Sequence, residues 1–247
     1  MILRQILHDQ PAIAASYLVA CAGQGVAVVV DPVDEASTYR RLVDELGVRI
    51  KYVIDTHLHA DHLSTARALA EQTGAEYVLH ESAAARYAFR RVADGDKLLV
   101  GNVSLGVMHL PGHTPEHIGL LITDRTRGER PWLVLTGHTL MIGDMGRTEL
   151  ATSAEAGARA LFQSARRLRA LSDDVVVLPG AFAGSVCGRG LSGTPMSTIG
   201  FERRLNRAFR LEDESEFVEL MLVDPPPRPP RADETRMANM DTVPVSA

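Results

Sequence analysis

The 247-residue sequence has little of three features that would assign it to a special class of protein. Cys21 and Cys187 are its only cysteines, too few for a disulfide framework and compatible with a reducing, cytoplasmic compartment. Its 26 basic residues do not outnumber its 31 acidic ones, so the net charge of -5 provides no overall attraction to nucleic acid or anionic lipid. It also contains no long apolar run of the kind that spans a membrane, and no basic leader typical of a signal peptide. We therefore expect a cytoplasmic globular protein that binds neither nucleic acid nor membranes.

The residues that are present predict alternating strands and helices in the first third of the chain. Apolar runs at 26–30, 52–54 and 77–79 are typical of buried strands. Segments 36–46 and about 63–72 carry apolar residues at helical spacing, and each is followed by a glycine that would end a helix. This alternation predicts a sheet with helices packed on one face.

The middle of the chain is predicted to be mainly strands, and the rest mainly helices. The pattern indicates a hairpin at 97–110 and strands at 118–123, 132–135 and 175–178. Helices are predicted at 153–171, 198–209 and 214–222. From Asp224 onward prolines and polar residues dominate. We therefore expect one catalytic domain over residues 1–223 and an extended or disordered tail over residues 224–247.

A histidine motif directly follows the predicted strand 52–54. Residues 56–62 read Thr-His-Leu-His-Ala-Asp-His, with His57, His59 and His62 around Asp61. Imidazole and carboxylate groups so closely spaced at the end of a strand are typical of a metal site. With nine histidines in the chain, three specified positions would all be His by chance in about one sequence per hundred. The alternative is that these histidines cap the next helix or lie on a polar surface.

Two further segments supply candidate ligands from other loops. Residues 111–115 read Pro-Gly-His-Thr-Pro, a rigid turn that would hold the imidazole of His113 in place. Thr136-Gly137-His138 follows the predicted strand 132–135, so His138 is also at the end of a strand. His138 is either a metal ligand or a hydrogen-bonded structural residue, and the two other motifs favour the ligand.

Taken together, these motifs resemble the metallo-β-lactamase superfamily. Within it, segments 56–62, 111–115 and 143–148 resemble the persulfide dioxygenase branch, whose members oxidise glutathione persulfide. Segments 183–188 and 197–204 are similar to the branch members that are fused to rhodanese domains. The resemblance covers residues 1 to about 222.

The resemblance implies an α+β fold, the αββα sandwich, with a metal at the edge of the sheets. It also implies that iron is held by His57, His113 and position 138. The sequence departs from the family pattern at two positions, because His138 replaces an aspartate and Ala181 replaces a later histidine. Both positions serve a second metal in the dinuclear hydrolases of the superfamily, so a single metal is expected here. A set of three histidines carries one negative charge fewer than a set with aspartate at position 138. Its ion should therefore attract an anionic persulfide more strongly.

We therefore expect a mononuclear non-haem iron dioxygenase that oxidises a small thiol persulfide with O2, using one Fe(II) per chain. Zinc is the alternative metal, since three histidines suit both ions. Two alternatives stay open for the activity: zinc-dependent thioester hydrolysis of the glyoxalase II type, and a noncatalytic metal-binding relative. A homodimer is also compatible with the sequence.

Four further side chains are candidates for the same site. His59 is either a metal ligand or a neighbour of the ligands. Asp61 either orients a ligand or a bound water, or caps the helix expected at Leu63, and these roles are compatible. Arg147 either pairs with Asp144 to brace the loop or binds a substrate carboxylate, and bracing is the favoured role. Cys187 either approaches the metal and carries sulfur, or is a small buried residue.

Overall fold

The first half of the chain forms a sheet that follows chain order. A computed structural model describes residues 1–229 and 231–241. The sheet comprises β1 (Ile2–His8), β2 (Ala14–Cys21), β3 (Val26–Val30), β4 (Arg49–Ile54), β5 (Glu76–His80) and β6 (Arg90–Val92). Strands β3 to β6 are parallel to one another. The segments after β3 and β4 therefore start at the same edge of the sheet.

A second sheet is formed by the later strands. It comprises, in chain order, β7 (Lys97–Val100), β8 (Val103–His109), β9 (Ile118–Asp124), β10 (Leu133–Gly137), β11 (Val176–Pro179) and β12 (Ser197–Thr198), and its spatial order is β12-β11-β10-β9-β8-β7. Because β9 is antiparallel to both β8 and β10, those two strands end at the same edge. The amide of Ile118 donates to the carbonyl of Thr56 at 2.8 Å, which joins this edge to the corresponding edge of the first sheet.

Three apolar layers hold the two sheets and their helices together. Between the sheets, side chains such as Val28 and Ile54 pack with Leu105 and Leu120. Helices α1 (Ala36–Leu46) and α2 (Ala66–Thr73) cover the outer face of the first sheet. Helices α3 (Ala154–Arg169), α4 (Ile199–Leu205) and α5 (Glu214–Leu222) cover the outer face of the second. This is the predicted α+β fold, an αββα sandwich.

Helix α3 shows how the sequence determines one of these layers. The hydroxyl of Ser153 accepts a hydrogen bond from the amide of Ala156, which caps the amino end of the helix. Leu161 and Leu168 recur at helical spacing and are fully buried against the second sheet. Burying each leucine side chain contributes about 1.5–3 kcal/mol.

Three predicted helices differ from the observed ones at their ends, and the differences are largest for α2 and α4. Helix α2 begins at Ala66 rather than Leu63, because Ser64 and Thr65 use their hydroxyls to bond the Ala66 amide and the Pro32 carbonyl. The helix predicted over 198–209 ends at Leu205, where the following Asn206 turns the chain with its side-chain amide. Strands β1 and β2 were not predicted as strands, although β2 is entirely buried.

The prediction of an extended or disordered tail was wrong for its central part. Residues Ala232–Met240 form helix α6, which packs on the body of the protein through Arg236 and Asn239. The tertiary contacts decide this, because the helix alone carries only a weak apolar pattern. The prediction for residues 230 and 242–247 lies outside the described residues. Among the helices described, none combines the length and apolar character required to cross a bilayer.

Candidate metal centre

Three histidines from three loops meet at the shared edge of the two sheets. His57 follows β4, His113 lies between β8 and β9, and His138 directly follows β10. One side-chain nitrogen of each lies within 4.8 Å of the others. Each residue is only 1% exposed, so the cluster is shielded from water. The sequence placed these residues in separate motifs, and the fold brings them together.

Hydrogen bonds fix the orientation of two of these rings. His113 Nδ1 donates to the carbonyl of Arg147 at 2.8 Å, so the lone pair of the neutral ring lies on Nε2. His57 Nδ1 contacts the hydroxyl of Thr56 at 3.0 Å, while His57 Nε2 is buried without a hydrogen-bond partner. A buried polar atom without a partner is costly unless it meets an ion or a ligand. These donors therefore fit a divalent metal ion.

The surroundings keep the three rings neutral. Burial, reinforced by the nearby His138, lowers the pKa of His113 from 6.5 to about 3. Burial and the neighbouring histidines hold the pKa of His57 well below its usual value. Burial also lowers the pKa of His138, although Asp61 opposes the shift. Neutral imidazoles are the form that binds a metal, so the cluster is ready to do so at neutral pH.

His117 supports this cluster from behind. The amide of His138 donates to His117 Nε2 at 3.0 Å, and His117 Nδ1 contacts the hydroxyl of Thr139 at 3.0 Å. Gly137, with φ of +50°, leaves room for this ring, because a Cβ there would lie 2.5 Å from His117 Nε2. These contacts give His117 a structural role behind the cluster.

A second group of candidate ligands lies beside the first. His59, Asp61 and His62 each offer an atom within 4.8 Å of the others. His59 Nδ1, Asp61 Oδ2 and His62 Nε2 are buried without hydrogen-bond partners. His59 thus belongs to this group rather than to the three-histidine cluster. One prediction was that Asp61 caps α2, and this was wrong, because the residue at the start of α2 is Thr65. The Oδ1 atom of Asp61 instead lies 3.1 Å from His62 Nδ1.

Unlike the neutral three-histidine cluster, the second group contains side chains that are held in their charged forms. Burial lowers the pKa of His59, but the carboxylates of Asp31 and Asp61 outweigh it and hold that pKa well above its usual value. Burial raises the pKa of Asp61, but His62 and His59 outweigh it and hold that pKa well below its usual value. In the metal-free protein, a charged His59 therefore lies between two carboxylates.

Asp31 is a supporting residue that the sequence analysis missed. Its Oδ1 accepts from the Thr56 amide at 2.6 Å and lies 3.3 Å from His59 Nε2, and its Oδ2 accepts from the Thr56 hydroxyl at 2.9 Å. Asp31 thus orients His59 directly and His57 through Thr56. The signal in the sequence is an aspartate that directly follows the buried strand 26–30 and precedes Pro32.

Arg147 does not pair with Asp144, the partner predicted for it. Its guanidinium donates to the carbonyls of Val186, Pro226 and Pro227 and pairs with Glu149. Asp144 pairs instead with Arg189 at 3.0 Å. The Arg147 side chain is only 2% exposed and its donors are occupied within the protein, which disfavours the alternative of a contact with a substrate carboxylate. It braces the site through the chain segment at 226–227.

Cys187 lies at the edge of the cluster, next to the position of the missing histidine. It packs with Met141 and Ala181, and its sulfur lies within 4.8 Å of ligand atoms of Asp61 and His138. Burial raises the pKa of its thiol well above the usual value. The thiol is therefore protonated at neutral pH in the metal-free protein.

Comparison with known proteins identifies similar chains over most of this length. The family model described as metallo-β-lactamase superfamily matches residues 10–180. The human mitochondrial persulfide dioxygenase ETHE1 is 30% identical over 243 residues, which cover 97% of this chain and 88% of that protein. The crystal structure of ETHE1 from Myxococcus xanthus has a TM-score of 0.84 at 30% identity and covers 97% of this chain and 98% of that one. A metallo-β-lactamase structure from Staphylococcus aureus has a TM-score of 0.91 at 31% identity, over 100% of this chain and 74% of that one.

Two more similarities bear on the reaction and the metal. A hydroxyacylglutathione hydrolase from Polaromonas is 36% identical over 169 residues, covering 67% of this chain and 60% of that protein. The structure of TTHA1623 in a di-iron-bound form has a TM-score of 0.62 at 27% identity, over 84% of this chain and 99% of that one. The similar proteins thus include both an oxidising enzyme and a hydrolase.

Proposed function

The chain belongs to the metallo-β-lactamase superfamily, and from that premise we propose that it is a mononuclear iron dioxygenase that oxidises a thiol persulfide with O2. The observation that carries the proposal is the neutral, buried cluster of His57, His113 and His138, in which His57 Nε2 has no hydrogen-bond partner. The similarity to human persulfide dioxygenase over 97% of the chain supports the reaction class.

In this proposal the three histidines hold one Fe(II). When bound, the ion supplies positions at which a persulfide sulfur and O2 meet and exchange electrons. The di-iron form of one similar structure supports iron as the metal, and imidazole donors suit it. The second metal of the dinuclear hydrolases has poor support here, because Ala181 offers no ligand and His138 no bridging oxygen.

The surrounding residues keep the site oriented and dry. Thr56 and the carbonyl of Arg147 fix the rings of His57 and His113, so that the Nε2 atom of each ring points into the cluster. The near-complete burial of all three ligands excludes bulk water, which protects a persulfide from side reactions. With three neutral ligands, the loaded centre carries the full charge of the ion and attracts the anionic sulfur of the substrate.

The proposed substrate is the persulfide of a small thiol. We take glutathione persulfide as the test substrate. The overall reaction consumes one persulfide, one O2 and one water and yields one thiol, one sulfite and two protons.

The second candidate function is hydrolysis of a glutathione thioester with zinc. It is favoured by the similarity to hydroxyacylglutathione hydrolase and by the group of His59, Asp61 and His62, which offers further ligand atoms beside the cluster. A single zinc ion can activate water for such a reaction near neutral pH.

The test combines metal analysis with oxygen uptake. Protein purified without added metal or chelator is analysed for iron and zinc and then mixed with glutathione persulfide in an oxygen electrode. About one iron per chain, with O2 and sulfite in a 1:1 ratio, is the expected result, and His138→Ala should lose both iron and uptake. Zinc with thioester hydrolysis and no O2 uptake would establish the second candidate instead. Protein without stoichiometric metal would contradict both and leave a noncatalytic relative.

A further inference from the structure

We propose that helix α6 holds the metal-binding loop in its binding conformation through Arg236 and Asn239, a pair that we call the clamp. These would be positioning residues: neither contributes a ligand atom, and both act on the backbone of the segment that carries His57, His59 and His62. The inference rests on a metal site at this edge of the sheets, and it is independent of the reaction performed there.

Asn239 uses both of its side-chain N–H donors and its side-chain oxygen on one short stretch of this loop. Its Nδ2 donates to the carbonyls of His59 and His62, each at 2.9 Å, and its Oδ1 accepts from the amide of Ser64 at 3.0 Å. A side-chain amide has two N–H donors and one carbonyl oxygen, and here each has a loop partner. Asn239 therefore fixes the loop at three backbone positions that bracket Asp61.

Arg236 connects this loop to the one that carries His113. Its guanidinium donates to the carbonyl of Leu58 at 2.7 Å and to both carboxylate oxygens of Glu116, at 3.1 and 3.2 Å. Glu116 in turn accepts from the amide of Leu58 at 3.0 Å. The side chain of Glu116 is 3% exposed and that of Arg236 is 14% exposed, so water screens this pair only weakly. The pair sets the distance between two of the loops that converge on the cluster.

The loop needs such support because it contains no regular secondary structure. Residues 55–65 lie between β4 and α2 and form neither a strand nor a helix. The carbonyls of Leu58, His59 and His62 therefore have no partner within a strand or helix, and α6 supplies their donors. At the same time, five side-chain atoms of this loop are buried without partners, which disfavours this conformation of the loop when no ion is bound. A clamp that offsets this cost preorganises the site for the ion.

The far end of α6 is attached to the body by contacts that do not involve the loop. The hydroxyl of Tyr87 donates to the carbonyl of Asn239 at 2.6 Å, and the amide of Arg86 donates to the carbonyl of Met240 at 2.8 Å. These bonds remain when the side chains of the clamp are changed. Substitutions in the clamp can therefore loosen the loop while α6 stays in place.

The experiment measures metal binding and loop mobility rather than turnover. Full-length apo-protein is titrated with Co(II) in competition with a chelator, and amide hydrogen exchange is followed across residues 57–64. The variants are Asn239→Ala and Arg236→Ala, with Arg236→Lys as the conservative change. Met237→Ala is the matched control, because Met237 lies on the same helix with its side chain 60% exposed.

We expect both alanine variants to bind Co(II) about 10-fold more weakly or worse, as is typical when residues that support metal ligands are removed. The Ser64 amide should exchange faster in Asn239→Ala, and the Co(II) spectrum should change, whereas Met237→Ala should match the unsubstituted protein. Arg236→Lys should retain part of the affinity, because it keeps the charge but loses the two-pronged contact with Glu116.

An unchanged Co(II) dissociation constant and unchanged exchange in Asn239→Ala would overturn the proposal. The same holds if the alanine variants only lower the melting temperature of the apo-protein while affinity and spectrum stay the same, since that is a purely structural effect. If Asn239→Ala fails to fold, Asn239→Asp replaces it: the acceptor for Ser64 remains while both donors are lost, so affinity should still fall. Because no readout depends on O2 or persulfide, failure of the dioxygenase proposal leaves this test intact.

Discussion

His138 Nδ1 lies 3.3 Å from His113 Nε2, so two buried imidazoles face each other at hydrogen-bonding distance inside the cluster. His113 Nδ1 carries its proton because it donates to the Arg147 carbonyl, so in the metal-free protein His138 supplies the shared hydrogen. An ion between the rings would replace that hydrogen. In the proposed mechanism His138 therefore acts as a hydrogen-bond donor without metal and as a ligand with metal. An aspartate at this position would bring a negative charge in place of the neutral ring.

Replacement of His138 by Asp is expected to weaken substrate binding more than metal binding. The carboxylate can still bind the ion, but it makes the loaded site one negative charge richer and less attractive to an anionic persulfide. We expect the KM for glutathione persulfide to rise several-fold while about one iron per chain is retained. Steady-state oxygen uptake and metal analysis check this, with the neutral His138→Asn as the control. An unchanged KM in His138→Asp would show that ligand charge does not govern substrate binding.

Stability of the apo-protein is expected to fall in acid because of the neutral buried histidines. With its pKa lowered to about 3, His113 stays neutral in the folded state while the unfolded chain takes up a proton near pH 6.5. Its contribution is therefore complete above pH 6.5 and is lost as the pH falls toward 3. Each such histidine lowers the free energy of unfolding by up to about 1.4 kcal/mol per pH unit in that range.

Urea unfolding of the chelated protein between pH 6.5 and 4.5 measures this slope. His113→Asn should reduce it, since asparagine does not titrate, and an identical slope in that variant would count against the assignment. His59 has the opposite sign: its raised pKa gives a contribution that is present below pH 6.5 and lost as the pH rises through the folded value. Measurements below pH 6.5 therefore report on the buried histidines whose pKa is lowered and not on His59.

Substitution of Arg147 is expected to lower the free energy of unfolding, because this side chain bonds the protein's own backbone. Arg147→Ala leaves the carbonyls of Val186, Pro226 and Pro227 without their donor, a loss of about 3 kcal/mol. Thermal and chemical unfolding measure this loss. Arg147→Lys should restore little, because an ammonium group cannot reach all of these partners. A raised KM with unchanged stability would instead indicate contact with the substrate.

Gly137→Ala is expected to displace His117 and, through it, His138. The new Cβ would lie 2.5 Å from His117 Nε2, and the backbone φ of +50° adds strain. Gly190→Ala is a close control, since Gly190 has a φ of +55° but no atom within 4 Å of the added Cβ. We expect Gly137→Ala to lose more stability than the control, by about 1–3 kcal/mol, and to bind metal more weakly. Equal losses in the two variants would mean that the clash is relieved at no cost.

Much of the fold and the centre of the site could be predicted from local sequence. Strand β3 and helices α1 and α5 have the predicted ends, because apolar periodicity and terminal glycines or caps are local signals. The histidine motifs predicted a metal site, and the family resemblance that they carry implied that His57, His113 and His138 would lie together. The family and the αββα fold followed from the same motifs.

Two of the missed features depend on contacts between residues far apart in the chain. Arg147 was paired with the wrong partner because Asp144 is three residues away, whereas the carbonyls it binds are 39 and about 80 residues away. Helix α6 was missed because its own pattern is weak and its stability comes from the loop and strands against which it packs. No local signal reports such partners.

By itself, then, the sequence predicted which side chains are candidate metal ligands and where many of the strands and helices form, because ligand type, periodicity and capping act within a few residues. Only the tertiary structure decided how those ligands are held. Asp31 orients His57 and His59, and Asn239 and Arg236 secure the loop from helix α6. These groups act because folding buries them together, where an unpartnered polar atom is costly and each hydrogen bond has a defined partner.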